Sequence, residues 1–195
     1  LSRLGYQVKC FLPKIIRKVV SEDVYLEILR RRNPNYSFKN LKLYSNPGLS
    51  GDLEEVSQSV IIDDIVENAV KSQTGKPFND IFVTAPTGSG KSVMFQIPAI
   101  YLAESSLKCI TIVVSPLISL MNDQVKNIRD LTDQACAMNS DYTPIEKENI
   151  RQSIMNGSKS ILYLSPESLL SNSDIKGLIG ERKIGLMIID EAHTV

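Results

Sequence analysis

A lysine and a serine lie among small residues directly after a short apolar run. The stretch reads APTGSGKS and comprises Ala85, Pro86, Thr87, Gly88, Ser89, Gly90, Lys91 and Ser92. Gly88 and Gly90 allow backbone conformations that a Cβ atom would oppose. The amides of residues 88–92 can therefore turn inward around phosphate oxygens, and a helix that begins there would add the partial positive charge of its N-terminus. We expect Lys91 to reach the β- and γ-phosphates of a nucleotide and the Ser92 hydroxyl to hold Mg²⁺.

Two adjacent carboxylates end a second apolar run. The stretch LMIIDEAH covers residues 186–193. Asp190 stands where an aspartate at a strand end can bind Mg²⁺, directly or through water, and Glu191 can orient and deprotonate an attacking water. Both stretches follow predicted strands, and open α/β sheets bind ligands at the carboxyl ends of their strands. Together the two stretches predict a site for ATP and Mg²⁺ at one edge of a sheet.

Short apolar runs alternate with helical patterns from residue 54 onward. We predict strands over residues 81–85, 109–115, 135–138, 160–166 and 185–190. We predict helices over residues 54–71, 91–104, 117–131 and 144–157. The first of these helices has apolar residues spaced i, i+3, i+4 and i+7 on one face, namely Ile62, Ile65, Val66 and Ala69. Strands that are apolar on both faces and alternate with helices indicate a mostly parallel sheet covered on both sides.

The first 50 residues differ from the rest in charge. Residues 1–50 hold ten Lys and Arg and three Asp and Glu, a net +7, whereas residues 51–195 hold twelve and nineteen, a net −7. Residues 15–32 have a helical pattern with Ser21 as a candidate N-cap, and the following segment, rich in Asn, Pro, Gly and Ser, favours turns. We place a domain boundary near residue 50. The basic extension either packs on the acidic body, contacts nucleic acid, docks a partner or forms ordinary surface.

The composition is typical of a globular protein outside the membrane. Hydrophobic residues make up 43% and charged residues 23% of the chain, and no run approaches the ~18 apolar residues of a membrane span. Charged residues interrupt the N-terminal segment, which does not fit a signal peptide. The three cysteines (Cys10, Cys109 and Cys136) are far apart, which indicates a reducing compartment. We expect the cytoplasm, at the nucleoid in a bacterium, or the nucleus in a eukaryote.

The two stretches and the segments between them resemble superfamily 2 helicases in their first RecA-like domain. VVSPLISLMNDQV (113–125) is similar to motif Ia of RecQ-type DNA helicases, GKSVMFQIPAI (90–100) to the helix after their phosphate loop, and AMNS (137–140) and ILYLSPESLL (161–170) to their next motifs. Helicase-type loops also carry Ala at the position of Ala85, where the common phosphate loop has Gly. The P-T-R-E-L-A and D-E-A-D motifs of DEAD-box RNA helicases do not occur in this sequence.

The resemblance covers about residues 54–195 and implies the fold class. It implies an α/β RecA-like P-loop NTPase domain over residues 51–195, with a central mostly parallel sheet flanked by helices. Residues 1–50 then form a small N-terminal extension.

The resemblance also implies contacts with DNA at two strand ends. Ser115 and Pro116 would approach the DNA backbone, and Ser165, Pro166 and Glu167 would line the same groove. Such contacts position DNA without reading its sequence. The alternative is ordinary turn chemistry, since Ser-Pro pairs often start turns.

Two glutamines have alternative assignments within the resemblance. Gln124 and its neighbour Asp123 lie within motif Ia, on the helix after its strand, where a structural role is the alternative to contact with DNA. RecQ proteins read adenine with a glutamine and an aromatic residue upstream of the phosphate loop. Gln58 is the nearest candidate, although it lies farther from Lys91 than in those proteins and no clear aromatic residue precedes it.

The activity implied is that of an ATP-driven DNA helicase with 3′-to-5′ polarity, acting on single-stranded DNA or an unwinding junction. A double-strand translocase of the same superfamily and a non-hydrolysing nucleotide-binding switch are the alternatives. His193 is followed by Thr194 and Val195 where RecQ proteins continue C-I-S, which indicates a divergent branch, in DNA repair or phage defence. Because the chain begins with Leu and ends just after this motif, we expect the N-terminal part of a larger helicase. Without a second RecA-like domain it should hydrolyse ATP poorly.

Overall fold

Two sheets and seven helices make up the described part of the chain. The computed structural model describes residues 21–44, 53–171 and 175–191. The strands are β1 (Asn40–Tyr44), β2 (Leu53–Ser57), β3 (Ile110–Val114), β4 (Ala135–Met138), β5 (Ile161–Leu164) and β6 (Ile184–Ile189). The helices are α1 (Glu22–Arg30), α2 (Gln58–Gln73), α3 (Lys91–Glu104), α4 (Ile118–Ile128), α5 (Pro144–Met155), α6 (Pro166–Ser171) and α7 (Ile175–Ile179). None of the helices within these ranges is long and apolar enough to cross a membrane.

Some predicted features lie outside the described residues. They include the first part of the predicted helix over residues 15–32, the predicted boundary near residue 50, and Ala192 and His193 of the carboxylate stretch.

Four parallel strands form the central sheet in the order β4-β5-β3-β6. These strands end level with one another, because Val114 pairs with both Leu164 and Ile189, and Met138 pairs with Leu164. The chain therefore leaves all four strands at a single edge of the sheet. The predicted strands that end at residues 115, 138, 166 and 190 correspond to these four.

Helices cover both faces of the sheet. On one face, Val113 and Tyr163 pack with side chains of α1, α2, α3 and α4. On the other face, Ile112 and Leu162 pack with side chains of α5 and α7. Because both faces are buried, these strands show no polar alternation, as parallel strands generally do not. The predicted α/β fold with a mostly parallel sheet flanked by helices is confirmed.

The arginines after α1 are bonded to the acidic body. The Arg31 guanidinium donates to both carboxylate oxygens of Glu104, at 2.7 and 2.8 Å. Arg32 lies 3.8 Å from a carboxylate oxygen of Asp130. In residues 21–44, this part of the basic extension therefore packs on the body, which is one of the arrangements allowed by the charge asymmetry. The domain boundary near residue 50 stays a prediction.

The strand predicted over residues 81–85 is absent, and that prediction was wrong. This segment is irregular and lies across a groove from β6, with Phe82 75% exposed. An apolar run becomes a strand only where a neighbour completes its hydrogen-bond ladder. Within the described ranges β6 pairs with β3 alone, and the groove separates residues 81–85 from its other edge, so no ladder forms between them.

The helix predicted over residues 54–71 begins later than expected. Leu53–Ser57 form β2, which pairs antiparallel with β1 in a segment predicted as turns. The helix α2 starts at Gln58 because the Ser57 hydroxyl accepts a hydrogen bond from the Ser59 amide at 3.2 Å and caps it. Ser21 does occupy the N-cap position of α1, but its side chain makes no capping hydrogen bond.

Candidate functional site

The loop of residues 85–92 leads into the N-terminus of α3. Gly90 is the N-cap residue of this helix and has a φ of +82°, and Gly88 has a φ of +80°. Both values lie in the left-handed region that favours glycine. The Val93 amide donates to the Gly90 carbonyl at 3.1 Å, and no side chain caps α3. The Lys91 and Ser92 amides therefore remain for a ligand, with the partial positive charge of the helix behind them.

The Gln58 side chain is hydrogen-bonded to this loop. Its Nε2 donates to the carbonyl oxygens of Ser89 at 2.9 Å and Gly90 at 3.4 Å, and its Oε1 accepts from the Lys39 amide at 3.0 Å. The side chain is 3% exposed. Both ends of the amide are thus engaged within the protein, between β1 and the loop. Sequence reasoning considered Gln58 only as an adenine reader, because no local pattern shows a contact between residues more than 30 positions apart.

Asp190 follows β6 at the sheet edge that the four strands share. Its amide donates to the Val114 carbonyl at 2.9 Å, which continues the pairing of β6 with β3. Its Oδ1 accepts from the Glu191 amide at 3.1 Å. Glu191 has a φ of +50°, an uncommon conformation for a residue with a Cβ, and such residues concentrate at functional sites.

A glutamine and a tyrosine lie next to Asp190. The Gln124 Nε2 donates to Asp190 Oδ2 at 2.6 Å. Burial raises the pKa of the Tyr163 phenol, and the negative charge of Asp190 adds to the effect, so that Tyr163 stays neutral. Sequence reasoning left Gln124 with a structural role as the alternative to a DNA contact, and the 66 positions between it and Asp190 explain why no local signal revealed the hydrogen bond.

One cavity brings the loop and the carboxylates together. It has a volume of about 730 Å³, within the range of small-molecule sites. Its lining includes the predicted site residues Ala85, Pro86, Thr87, Lys91, Asp190 and Glu191. The other predicted loop residues, Gly88, Ser89, Gly90 and Ser92, do not line it. A cationic side chain, an uncapped helix N-terminus and two carboxylates around one cavity can hold an anionic ligand together with a divalent cation.

The predicted DNA contacts lie at the ends of β3 and β5, on the same edge of the sheet. The Ser115 amide donates to the Leu164 carbonyl at 3.0 Å, which places the two strand ends side by side. Ser115 is 0% exposed and Ser165 is 5% exposed. The Ser165 hydroxyl accepts from the Ser168 amide at 3.2 Å, which is turn chemistry. Pro116 and Pro166 are half-buried and Glu167 is exposed. Contact of these five residues with DNA stays a prediction.

The chain is similar to known helicases in sequence and in fold. The family model of the DEAD/DEAH box helicases matches residues 57–195. The "ATP-dependent DNA helicase RecQ" of Pasteurella multocida is 38% identical over 116 residues, which cover 60% of this chain and 17% of that protein. The "ATP-dependent helicase SGS1" of Saccharomyces cerevisiae is 35% identical over 120 residues, which cover 60% of this chain and 8% of that protein. The expected similarity to RecQ-type helicases is confirmed. The chain spans less than a fifth of the length of these relatives.

A solved structure shares the fold. The yeast DEAD-box splicing factor Prp28 matches with a TM-score of 0.50 at 19% sequence identity, over 87% of this chain and 43% of that chain. At this identity the likeness concerns the arrangement of strands and helices alone.

Proposed function

Because this chain belongs to the DEAD/DEAH box helicase family, we propose that it binds ATP with Mg²⁺ and forms the nucleotide-binding part of an ATP-dependent DNA helicase of RecQ type. The observation that carries the proposal is the cavity lined by Lys91 of the loop and by Asp190 and Glu191 after β6. These groups are about 100 residues apart in the chain, and the fold brings them to one cavity.

The residues present fit a nucleotide with its metal. Left-handed Gly88 and Gly90 and the uncapped start of α3 provide amides for phosphate oxygens. The Ser89 hydroxyl is buried without a hydrogen-bond partner in the described residues, which leaves it for a ligand. Ser92 and Asp190 offer the oxygen ligands that Mg²⁺ prefers, and few protein ligands suffice where phosphates supply the rest.

Each residue has a separate task in the proposed reaction. Lys91 donates hydrogen bonds to the terminal phosphate oxygens, and Ser92 and Asp190 hold the metal. Mg²⁺, when bound, supplies positive charge that offsets the charge on the phosphates. Glu191 orients the attacking water and accepts its proton as general base.

We assign the DNA strand to the same edge of the sheet. Ser115, Pro116, Ser165, Pro166 and Glu167 remain its proposed contacts, and 3′-to-5′ polarity remains the proposed direction. Arginines of a second RecA-like domain are the proposed partners of the transferred phosphoryl group. Because the proposed substrate is DNA, the proposed location is the cytoplasm at the nucleoid in a bacterium, or the nucleus in a eukaryote.

The proposal is tested by the ATPase rate of the full-length protein, measured with and without single-stranded DNA. We expect DNA to stimulate the rate, and Lys91→Ala to abolish both nucleotide binding and turnover. Glu191→Gln should retain nucleotide binding but lower kcat by ~10²- to 10⁴-fold, the usual contribution of a general base. Lys76→Ala is the matched control, since Lys76 is exposed and does not line the cavity.

Three results would contradict the proposal. Nucleotide binding that survives in Lys91→Ala would remove the loop from the site. An ATPase rate that does not respond to DNA would exclude a DNA-dependent motor. If the protein keeps its biological function in Glu191→Gln, without ATP hydrolysis, a nucleotide-binding switch is favoured.

A further inference from the structure

Gln124 reaches Asp190 from helix α4. Its Nε2 donates to Asp190 Oδ2 at 2.6 Å, and the Glu191 amide donates to Oδ1 at 3.1 Å. Each carboxylate oxygen therefore accepts one hydrogen bond from the protein. The two bonds together fix the plane of the carboxylate, and each oxygen keeps a further lone pair for another donor or a metal.

Packing fixes the position of Gln124. Met121 and Ile128 lie on either side of it along α4, and both are 0% exposed against the sheet. Gln124 is 6% exposed, whereas its neighbour Asp123 is exposed. A buried, hydrogen-bonded amide on a firmly packed helix is a rigid support for the group that it contacts.

Stability alone does not account for a glutamine at this position. Its Oε1 is buried and has no hydrogen-bond partner within the described residues. The buried Ser115 hydroxyl, directly after β3, also lacks a partner within the described residues. An unpaired buried acceptor is destabilising, and an apolar side chain of similar length would avoid that loss. A buried polar residue that lowers stability in this way, next to a functional group, indicates a functional role.

We propose that Gln124 is a positioning residue for Asp190 and holds the carboxylate in the orientation that receives the metal of a bound nucleotide. This inference rests on the proposed function, in which Asp190 holds Mg²⁺. Partners that hydrogen-bond a metal-binding side chain orient it, and their loss typically lowers metal affinity ~10- to 100-fold.

The test is the Mg²⁺ dependence of nucleotide binding by the full-length protein carrying Gln124→Met. A fluorescent ATP analogue is titrated at rising Mg²⁺ concentrations and also in EDTA. Methionine matches glutamine in length but has no amide, so it removes the hydrogen bond with little change in packing. We expect the Mg²⁺ concentration for half-maximal binding to rise ~10-fold or more. The affinity in EDTA should stay unchanged, because the loop of residues 85–92 is not touched.

Gln73→Met is the matched control. The Gln73 Nε2 donates to the Ile184 carbonyl at 2.8 Å, at the opposite end of β6. This variant loses one glutamine hydrogen bond to β6 itself, whereas Gln124→Met loses one to the residue directly after β6, so a general loosening of β6 would appear in both variants. Gln124→Asn is a second test variant in case Gln124→Met does not fold, because its amide is one methylene too short to reach Asp190.

The outcomes separate the inference from the proposed function. A shift confined to the Gln124 variants supports the positioning role. A Mg²⁺ dependence equal to that of the wild type, or an equal shift in Gln124→Met and Gln73→Met, overturns it. Wild-type nucleotide binding that does not depend on Mg²⁺ refutes the metal assignment of Asp190 itself, and the positioning role with it, from the wild type alone.

Discussion

Replacing Gly90 by alanine should destabilise the protein more than the same change at Gly88. The two glycines have nearly the same φ, +82° and +80°. A Cβ in this left-handed region costs ~1–2 kcal/mol at either position. Replacing glycine also restricts the unfolded chain equally in both variants. The backbone contribution therefore cancels when the two variants are compared.

The surroundings of the two glycines differ. A Cβ at Gly88 would meet nothing within 4 Å, whereas a Cβ at Gly90 would lie 2.6 Å from Gln58 Nε2. Gln58 would have to move, which breaks its 2.9 Å hydrogen bond to the Ser89 carbonyl in a buried place. Leaving buried polar groups unpaired costs ~1–3 kcal/mol. We therefore expect a loss of ~1–2 kcal/mol for Gly88→Ala and ~2–5 kcal/mol for Gly90→Ala.

The assay is urea unfolding of the two single variants without nucleotide, with the free energy of unfolding obtained by linear extrapolation. Both substitutions are repeated in a Gln58→Ala background. The excess loss of Gly90→Ala should largely disappear there, because the residue that obstructs the new methyl group is gone. Equal losses at the two glycines, or an excess that persists without Gln58, would refute the reasoning that Gln58 holds the loop.

Three further changes test contacts away from the cavity. Thr143→Ala removes part of the capping box of α5 and should lower the unfolding free energy by ~1 kcal/mol. The Thr143 amide and hydroxyl lower the pKa of the Glu146 carboxyl. Their hydrogen bonds to the carboxylate therefore stabilise the fold above the unfolded pKa. The difference in unfolding free energy between Thr143→Ala and the wild type should shrink as the pH falls through the folded pKa. Arg31→Ala removes a bidentate ion pair with α3 and should cost ~1 kcal/mol in low salt and less in high salt, measured by urea unfolding. Tyr25→Phe removes a buried 3.0 Å hydrogen bond to Asp63 and should lower the unfolding free energy by ~1.5–3 kcal/mol, because hydrogen bonds to charged groups are the stronger ones; an unchanged thermal midpoint would contradict this.

The elements whose observed bounds match the predicted bounds are those with a regular pattern of burial along the chain. β4 over residues 135–138 and α3 over residues 91–104 have the predicted bounds. Both elements are buried over most of their length, so their apolar residues follow the geometry of the element itself. Lys91, which follows the irregular segment 81–85, and Asp190, which follows β6, then line one cavity, as the order of the motifs predicts.

The elements that disagree depend on a partner elsewhere in the chain. Residues 81–85 are as apolar as a strand but lack a ladder in the described structure. β1 lies among turn-forming residues, yet its pairing with β2 and the burial of Leu41 at 7% exposure make it a strand. Neither outcome follows from local composition, because a strand is defined by its neighbour.

Sequence by itself determined the class of the fold and the residues that meet at its edge. The spacing of apolar residues indicates which segments form strands and which form helices. The carboxyl ends of parallel strands lie at one edge wherever such a sheet forms. Tertiary structure alone decided which side chains hold those residues. Gln58 reaches the loop across 31 residues and Gln124 reaches Asp190 across 66, and both are glutamines without any local pattern. The contacts of these two glutamines depend on which groups lie within hydrogen-bond distance in the folded core. Buried amides generally form hydrogen bonds, and packing decides which partners are close enough.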